Sequence, residues 1–201
     1  MKLRYSPSSP FVRKAMVVAI EAGLLERIEL VPTNPWDPDS DIGRDNPAGK
    51  VPALITDAGE TLYDSRVIAE YLDAVGGAGL YPPAGPERWR ALKLQALGDG
   101  ILEACVLRFI ERQRRPAELG WAAWLERQKA KVDRSLEVLE GEAGGFGDLT
   151  IGLVTVGCAL GYLDFRFAEE DWRPGRAALA GWYAELAKRP SFADTVLKAP
   201  A

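Results

Sequence analysis

Apolar positions come in short runs at the start of this chain and at helical spacing after them, and that change of pattern organises the sequence. Residues 2–5 (Lys-Leu-Arg-Tyr) predict a short strand, cut off by Ser6-Pro7. Ser8-Ser9-Pro10 then opens a helix, with serine at the N-cap and proline at the first helical position. Val12, Ala15, Met16, Ala19 and Ile20 follow at helical spacing until Gly23 supplies a stop. A second strand is predicted from Arg27 to Val31. Pro32 to Lys50 is irregular, with Pro, Asn and Asp throughout and one helical turn expected near Asp41. Ala53–Thr56 and Thr61–Tyr63 flank Asp57-Ala58-Gly59-Glu60, which predicts a β-hairpin. From Ser65 a further helix puts Val67, Ile68, Tyr71 and Leu72 on one face. The order is β-α-β-β-β-α.

Gly76 to Pro86 has the composition of a linker, and beyond it no strand pattern appears. Helices are expected at about 87–113, 118–142, 149–167, 174–188 and 191–197. The domains are therefore residues 1–75, α/β, and 87–201, all-helical, joined by 76–86. Leu149–Leu163 is apolar on nearly all sides, as a helix at the centre of a bundle is. It is about five residues short of the roughly 20 that span a bilayer. Met1–Lys14 carries charges and prolines where a signal peptide needs an unbroken apolar stretch. A cytoplasmic protein with no membrane partner is expected.

Charge and composition remove several classes of function. The net charge is −4, and the deficit lies in residues 1–80, with 8 Lys/Arg against 12 Asp/Glu. No basic face is offered to nucleic acid. The chain has no histidine, which excludes Ser-His-Asp and Cys-His catalysis and histidine metal sites. Cys105 and Cys158 lie far apart in helical stretches with no metal spacing, and each is expected to be a small buried apolar residue. No metal is expected.

Three local sequences in this order resemble the cytosolic glutathione transferases. They are Ser8-Ser9-Pro10-Phe11-Val12-Arg13-Lys14, Asn46-Pro47-Ala48-Gly49-Lys50-Val51-Pro52-Ala53-Leu54, and Leu62-Tyr63-Asp64-Ser65-Arg66-Val67-Ile68-Ala69-Glu70-Tyr71-Leu72. The match is to bacterial members with a serine-type start. It implies a thioredoxin-like first domain, an all-α second domain, and glutathione as co-substrate. Pro52 is then in cis, and the backbone of Val51 pairs with the cysteinyl part of glutathione as an added strand would. Ser65 caps a helix whose first amides attract the γ-glutamyl carboxylate, Asp64 takes the ligand ammonium, and Lys50 meets the glycyl carboxylate. A homodimer and a role in detoxification follow from the same resemblance. On the long helix Asp99 and Glu103 fall on one face, where acids in the family reach the ligand across the dimer; a solvated face accounts for them equally well.

The chemistry implied is attack of the glutathione thiolate on a small apolar electrophile. Ionising a thiol of pKa about 8.5 at neutral pH takes a shift of about two units, or roughly 2.7 kcal/mol. A hydroxyl hydrogen bond to charged sulfur supplies about 1.5–3 kcal/mol, and a helix N-terminus about 0.3–2 kcal/mol. One serine at a helix start is sufficient, and no histidine is needed. Ser9 stands where omega-type members have cysteine, and Ser8 matches the delta-type serine; Ser9 is the first choice, and either residue could simply cap the helix. Pro7, Phe11, Trp36, Leu107 and Phe109 are candidates for an apolar electrophile pocket between the domains. The family's Ser/Thr-x-x-Asp box is here Thr150-Ile151-Gly152-Leu153, so only the hydroxyl cap is expected to survive. Two rivals remain: a thiol–disulfide oxidoreductase, which wants cysteine at position 9, and a non-catalytic glutathione-binding or protein-interaction module.

Overall fold

The computed structural model describes residues 1–199; residues 200 and 201, the end of the expected helical domain, lie outside them. The chain falls into two units, residues 1–84 with the segment from Pro190 onward, and residues 85–189. In the first unit the elements are β1 (Lys2–Tyr5), α1 (Pro10–Glu21), β2 (Glu29–Pro32), β3 (Leu54–Ile55), β4 (Thr61–Leu62), α2 (Ser65–Gly76) and, much later, α7 (Pro190–Ala193). The helical turn expected near Asp41 is a short 3-10 helix, Asp41–Arg44. The second strand begins two residues later than expected, because Leu25–Arg27 forms a 3-10 turn first.

The sheet order is β2-β1-β3-β4, with β1 parallel to β2 and the other pairs antiparallel. This is the mixed four-stranded sheet that a thioredoxin-like domain requires. Leu3 and Leu54 are fully buried and paired with each other. α1 and α2 pack together, with Val12, Ala15, Val17–Ala19 on one side and Ile68, Ala69 and Leu72 on the other at most 1% exposed. The chain leaving α2 is tied back by the buried Asp73, whose carboxylate accepts from the amides of Leu80 (2.8 Å) and Tyr81 (3.0 Å).

The segment from Pro190 departs from the expected boundary. Its apolar residues Phe192 (1% exposed) and Leu197 (7%) are buried, and α7 packs on α1. Arg13 and Lys14, outside the apolar face predicted for α1, are buried as well. Arg13 is covered by this returning segment, a long-range contact to which helical periodicity is blind.

The second unit holds α3 (Pro86–Gln113), α4 (Ala122–Ala143), α5 (Ile151–Arg166) and α6 (Ala177–Leu186). Every residue of α5 from Ile151 to Leu163 is buried, as a central helix should be. Its close neighbour is α3, and two glycines permit the approach. A Cβ on Gly152 would lie 2.5 Å from the Ala91 carbonyl oxygen, and one on Gly98 would lie 3.0 Å from the Thr155 and Val156 backbone. Thr150 caps α5, its hydroxyl accepting from Leu153 N–H at 3.5 Å, so the surviving half of the capping box is in place. Cys105 and Cys158 are fully buried. Among the described residues no helix is long and apolar enough to cross a membrane.

Candidate functional site

Register alone brings the three sequence motifs to one edge of the first unit's sheet. Leu54 pairs with both Leu3 and Leu62, and the Arg4 N–H donates to the Ala53 carbonyl at 2.8 Å. Moving from Leu3 toward Tyr5 therefore moves from Leu54 back toward Pro52 and from Leu62 forward toward Asp64. The serine turn, the Lys50-Val51-Pro52 run and the start of α2 all lie beyond that end.

The serine turn is built locally. Ser9 N–H donates to Ser6 C=O at 3.2 Å, closing the turn through Pro7 and Ser8. Ser9 has extended backbone angles and its Oγ accepts from Val12 N–H at 3.3 Å, so it is the N-cap of α1, with Pro10 next. A hydroxyl has one donor and two acceptor positions, and the cap uses one acceptor; the Ser9 O–H remains available. Capping and thiol binding are compatible in one residue. Ser8 is half-buried, its Oγ 3.5 Å from that of Ser6.

Asn46 shapes the second motif. Its side chain is buried, donates to Lys50 C=O at 2.8 Å and accepts from Ala48 N–H at 3.0 Å, while Gly49 takes the left-handed φ of +65° that the turn needs. The Val51–Pro52 bond is cis, as the resemblance implies. Val51's N–H and C=O pair with no described residue. Lys50 is exposed, and its ammonium makes no ion pair among the described residues. Behind this loop the buried Arg4 holds the irregular segment in place, donating to Thr33 Oγ1 (2.9 Å), Asp45 (3.1 Å) and Asp41. The sequence reading missed Arg4; a charged residue inside a short strand was the available signal.

The third motif needs a correction. The N-cap of α2 is Asp64, not Ser65: Asp64 Oδ1 accepts from Arg66 N–H at 2.9 Å, and Ser65 is the first helical residue. Either residue type caps well, and the extended backbone of Asp64 decides between them. Ser65 is 2% exposed and its hydroxyl bonds no described residue, whereas Asp64 is exposed and its carboxylate keeps Oδ2 in reserve.

The pocket candidates fall in both units. Within the first unit Pro7 and Phe11 are half-buried, and Trp36 is 47% exposed on the loop before the Asp41 turn. In the second unit Leu107 and Phe109 are two residues apart on α3 and so leave on different faces. Leu107 is exposed, while the Arg166 guanidinium covers the Phe109 ring at 4.3 Å. Asp99 is fully buried, against the solvated reading, and Glu103 is exposed. A separate cavity of about 500 Å³ in the second unit, lined by Arg108, Lys129, Asp133, Phe167, Glu170 and Trp172 among others, contains none of the predicted residues. Two charged pairs in its lining are engaged with each other: Arg108 with Glu170 at 2.6 Å and Lys129 with Asp133 at 2.7 Å.

Comparison with known proteins finds matches over both units. Residues 8–75 match the glutathione S-transferase N-terminal domain, and residues 122–185 the C-terminal domain. A GST-like protein of Escherichia coli K12, the uncharacterized YibF, is 39% identical over 97% of this chain and 98% of its own length. A glutathione transferase family member from Pseudomonas fluorescens Pf-5, solved with bound glutathione, is 44% identical, with a TM-score of 0.92 over 98% of this chain and 99% of that one. A structure from the same organism holding S-(propanoic acid)-glutathione is 43% identical, with a TM-score of 0.91 over 99% and 100%.

Proposed function

We propose, since this chain belongs to the glutathione S-transferase family, that it binds glutathione in its first unit and joins the glutathione thiolate to small apolar electrophiles. The observation that carries the reading is the gathering at one sheet edge of unused groups that match the tripeptide. Val51's N–H and C=O take the cysteinyl backbone. The spare oxygen of Asp64 accepts from the γ-glutamyl ammonium, while Ser65 and the first amides of α2 receive the γ-glutamyl carboxylate. Lys50 faces the glycyl carboxylate. The Ser9 hydroxyl donates to the thiol sulfur, with Ser8 the second choice.

Thiolate formation follows from these groups without a general base. The O–H of Ser9 and the N-terminus of α1 both favour negative charge at the same place, and together they cover the roughly 2.7 kcal/mol needed. The sulfur lone pair then forms an S–C bond, and the electrophile loses its leaving group or, in an addition, gains a proton. Phe11 and Trp36 are offered as the apolar side chains of the first unit that meet the electrophile. The P. fluorescens relative that holds a thioether of glutathione supports a site able to keep a conjugate. The reading also includes homodimer assembly and a detoxifying role, both from the family resemblance, and a cytoplasmic setting; light scattering on the purified protein tests the first.

Calorimetric titration with glutathione of wild type and Ser9→Ala, with thiolate absorbance followed in parallel, tests the mechanism. Binding by both proteins with the thiolate signal lost in the variant is expected. An unchanged signal moves the role to Ser8 or to backbone amides. Binding with no turnover over a broad electrophile panel leaves a non-catalytic glutathione-binding module.

A further inference from the structure

The segment after α6 runs back along α1 and ends on the serine turn. At the last turn of α1 the Ser191 hydroxyl donates to Glu21 at 2.5 Å. At the first turn Arg13 donates to the Phe192 carbonyl at 3.2 Å and to Thr195 Oγ1 at 3.5 Å, its guanidinium 5.6 Å from the Phe192 ring centre. Past the start of the helix, the Lys198 N–H donates to the Pro7 carbonyl at 3.0 Å. The contacts thus follow α1 from its end to its beginning and then reach the loop before it.

Pro7 lies inside the turn closed by the Ser6–Ser9 bond. The Ser9 end is held by the α1 cap, its carbonyl accepting from Arg13 N–H at 3.0 Å, but among the described residues the Pro7–Ser8 corner has little else to hold it. Proline offers no N–H, the Ser6–Ser8 hydroxyl contact is long at 3.5 Å, and the Ser9–Ser6 bond is itself 3.2 Å. We propose that residues 190–199 form a strap that fixes the Ser6–Ser9 turn, and that Lys198, acting through its backbone amide, is a positioning residue for the serine that holds the thiolate. The inference rests on the transferase reading for its catalytic consequence and on the contacts above for the strap itself. The alignment of a hydroxyl with a charged sulfur is steeply distance- and angle-dependent, so a loosened turn weakens the thiolate more than it weakens binding, most of which is made at Val51 and α2.

The test deletes one N–H in the full chain. Lys198→Pro removes the donor, and Lys198→Ala keeps it while removing the side chain. If the proline variant misfolds, an amide-to-ester exchange at the same bond removes the donor without restricting the backbone. Two quantities are read: the pH midpoint of the bound glutathione thiolate, and hydrogen exchange at the Ser9 amide. Loss of the donor is expected to raise the midpoint by about half a unit or more toward the free thiol and to speed Ser9 exchange roughly tenfold, with the KM for glutathione changed less than about twofold. Lys198→Ala should match wild type. A midpoint that stays in place when the N–H is gone overturns the proposal, whatever the exchange rates do. If wild type forms no thiolate at all, the transferase reading falls and the exchange rate at Ser9 alone decides the strap.

Discussion

In the proposed reading Ser9 serves two purposes in one hydroxyl, and substitutions can separate them. Alanine at an N-cap costs about 1 kcal/mol, whereas glycine costs only a few tenths. Ser9→Ala and Ser9→Gly should therefore lose thiolate and kcat/KM to a similar degree, roughly ten- to a hundredfold for a charged-group hydrogen bond, while differing in urea midpoint. Equal stability losses would show that the cap bond to Val12 is not made in solution. Cys105 offers a second test at this scale. Burial pushes its thiol up to about 12, an effect that the nearby Arg108 charge only partly offsets. Neither it nor Cys158 should react with a disulfide reagent at neutral pH in the native state, and both should react in denaturant. The thiolate measured with glutathione then belongs to glutathione alone. Ser8-Ser9-Pro10 was readable from sequence because a cap is a local bond. The exchange of roles between Asp64 and Ser65 was not, since two adjacent capping residues differ only in backbone angles that sequence does not carry.

Between α5 and α6 the chain is held by an ion cluster whose worth can be measured. Glu170 receives Arg108 at 2.6 Å and Arg112 at 2.7 Å, and both guanidinium groups lie over the Phe167 ring. Burial works to raise the Glu170 carboxyl, but the bonds and charges of the two arginines outweigh it and hold the carboxyl below its ordinary value. A lowered folded value means stability that is complete above the unfolded value and lost as pH falls through the folded one. Glu170→Gln leaves the 2%-exposed Arg108 without its counter-charge and should cost about 3 kcal/mol at neutral pH, read from urea unfolding. The gap between the two proteins should close as pH is lowered from about 5 toward 3. A pH-independent gap would mean that Glu170 acts by packing. None of this cluster was legible beforehand, because Arg108 and Arg112 look like ordinary charges on a long helix. What was legible were elements with a strong period or a clear stop: the α5 core run, the β3–β4 hairpin and the helix that starts at Pro10.

For the molecule as a whole, the absence of histidine makes the pH profile of the proposed transfer unusually diagnostic. No side chain of ordinary pKa titrates between about pH 5 and 8, so the profile should report the bound thiol. With an apolar electrophile, kcat/KM should show one ascending limb, displaced about two units below free glutathione, and no descending limb near neutrality. A bell-shaped curve would require a protein group that these residues do not supply. The division into an α/β part and a helical part followed from the loss of strand pattern after Gly76. The membership of residues 190–199 did not, since their partner lies about 180 residues away along the chain. That separation bears on biosynthesis. Sheet, α1 and α2 can all assemble once residues 1–84 have left the ribosome, but the amide that secures Pro7 is made only after the entire helical unit has been translated. A nascent chain arrested between the helical unit and Lys198 would carry every serine of the turn and still lack its fastening, so this corner is synthesised before the helical unit and completed only after it.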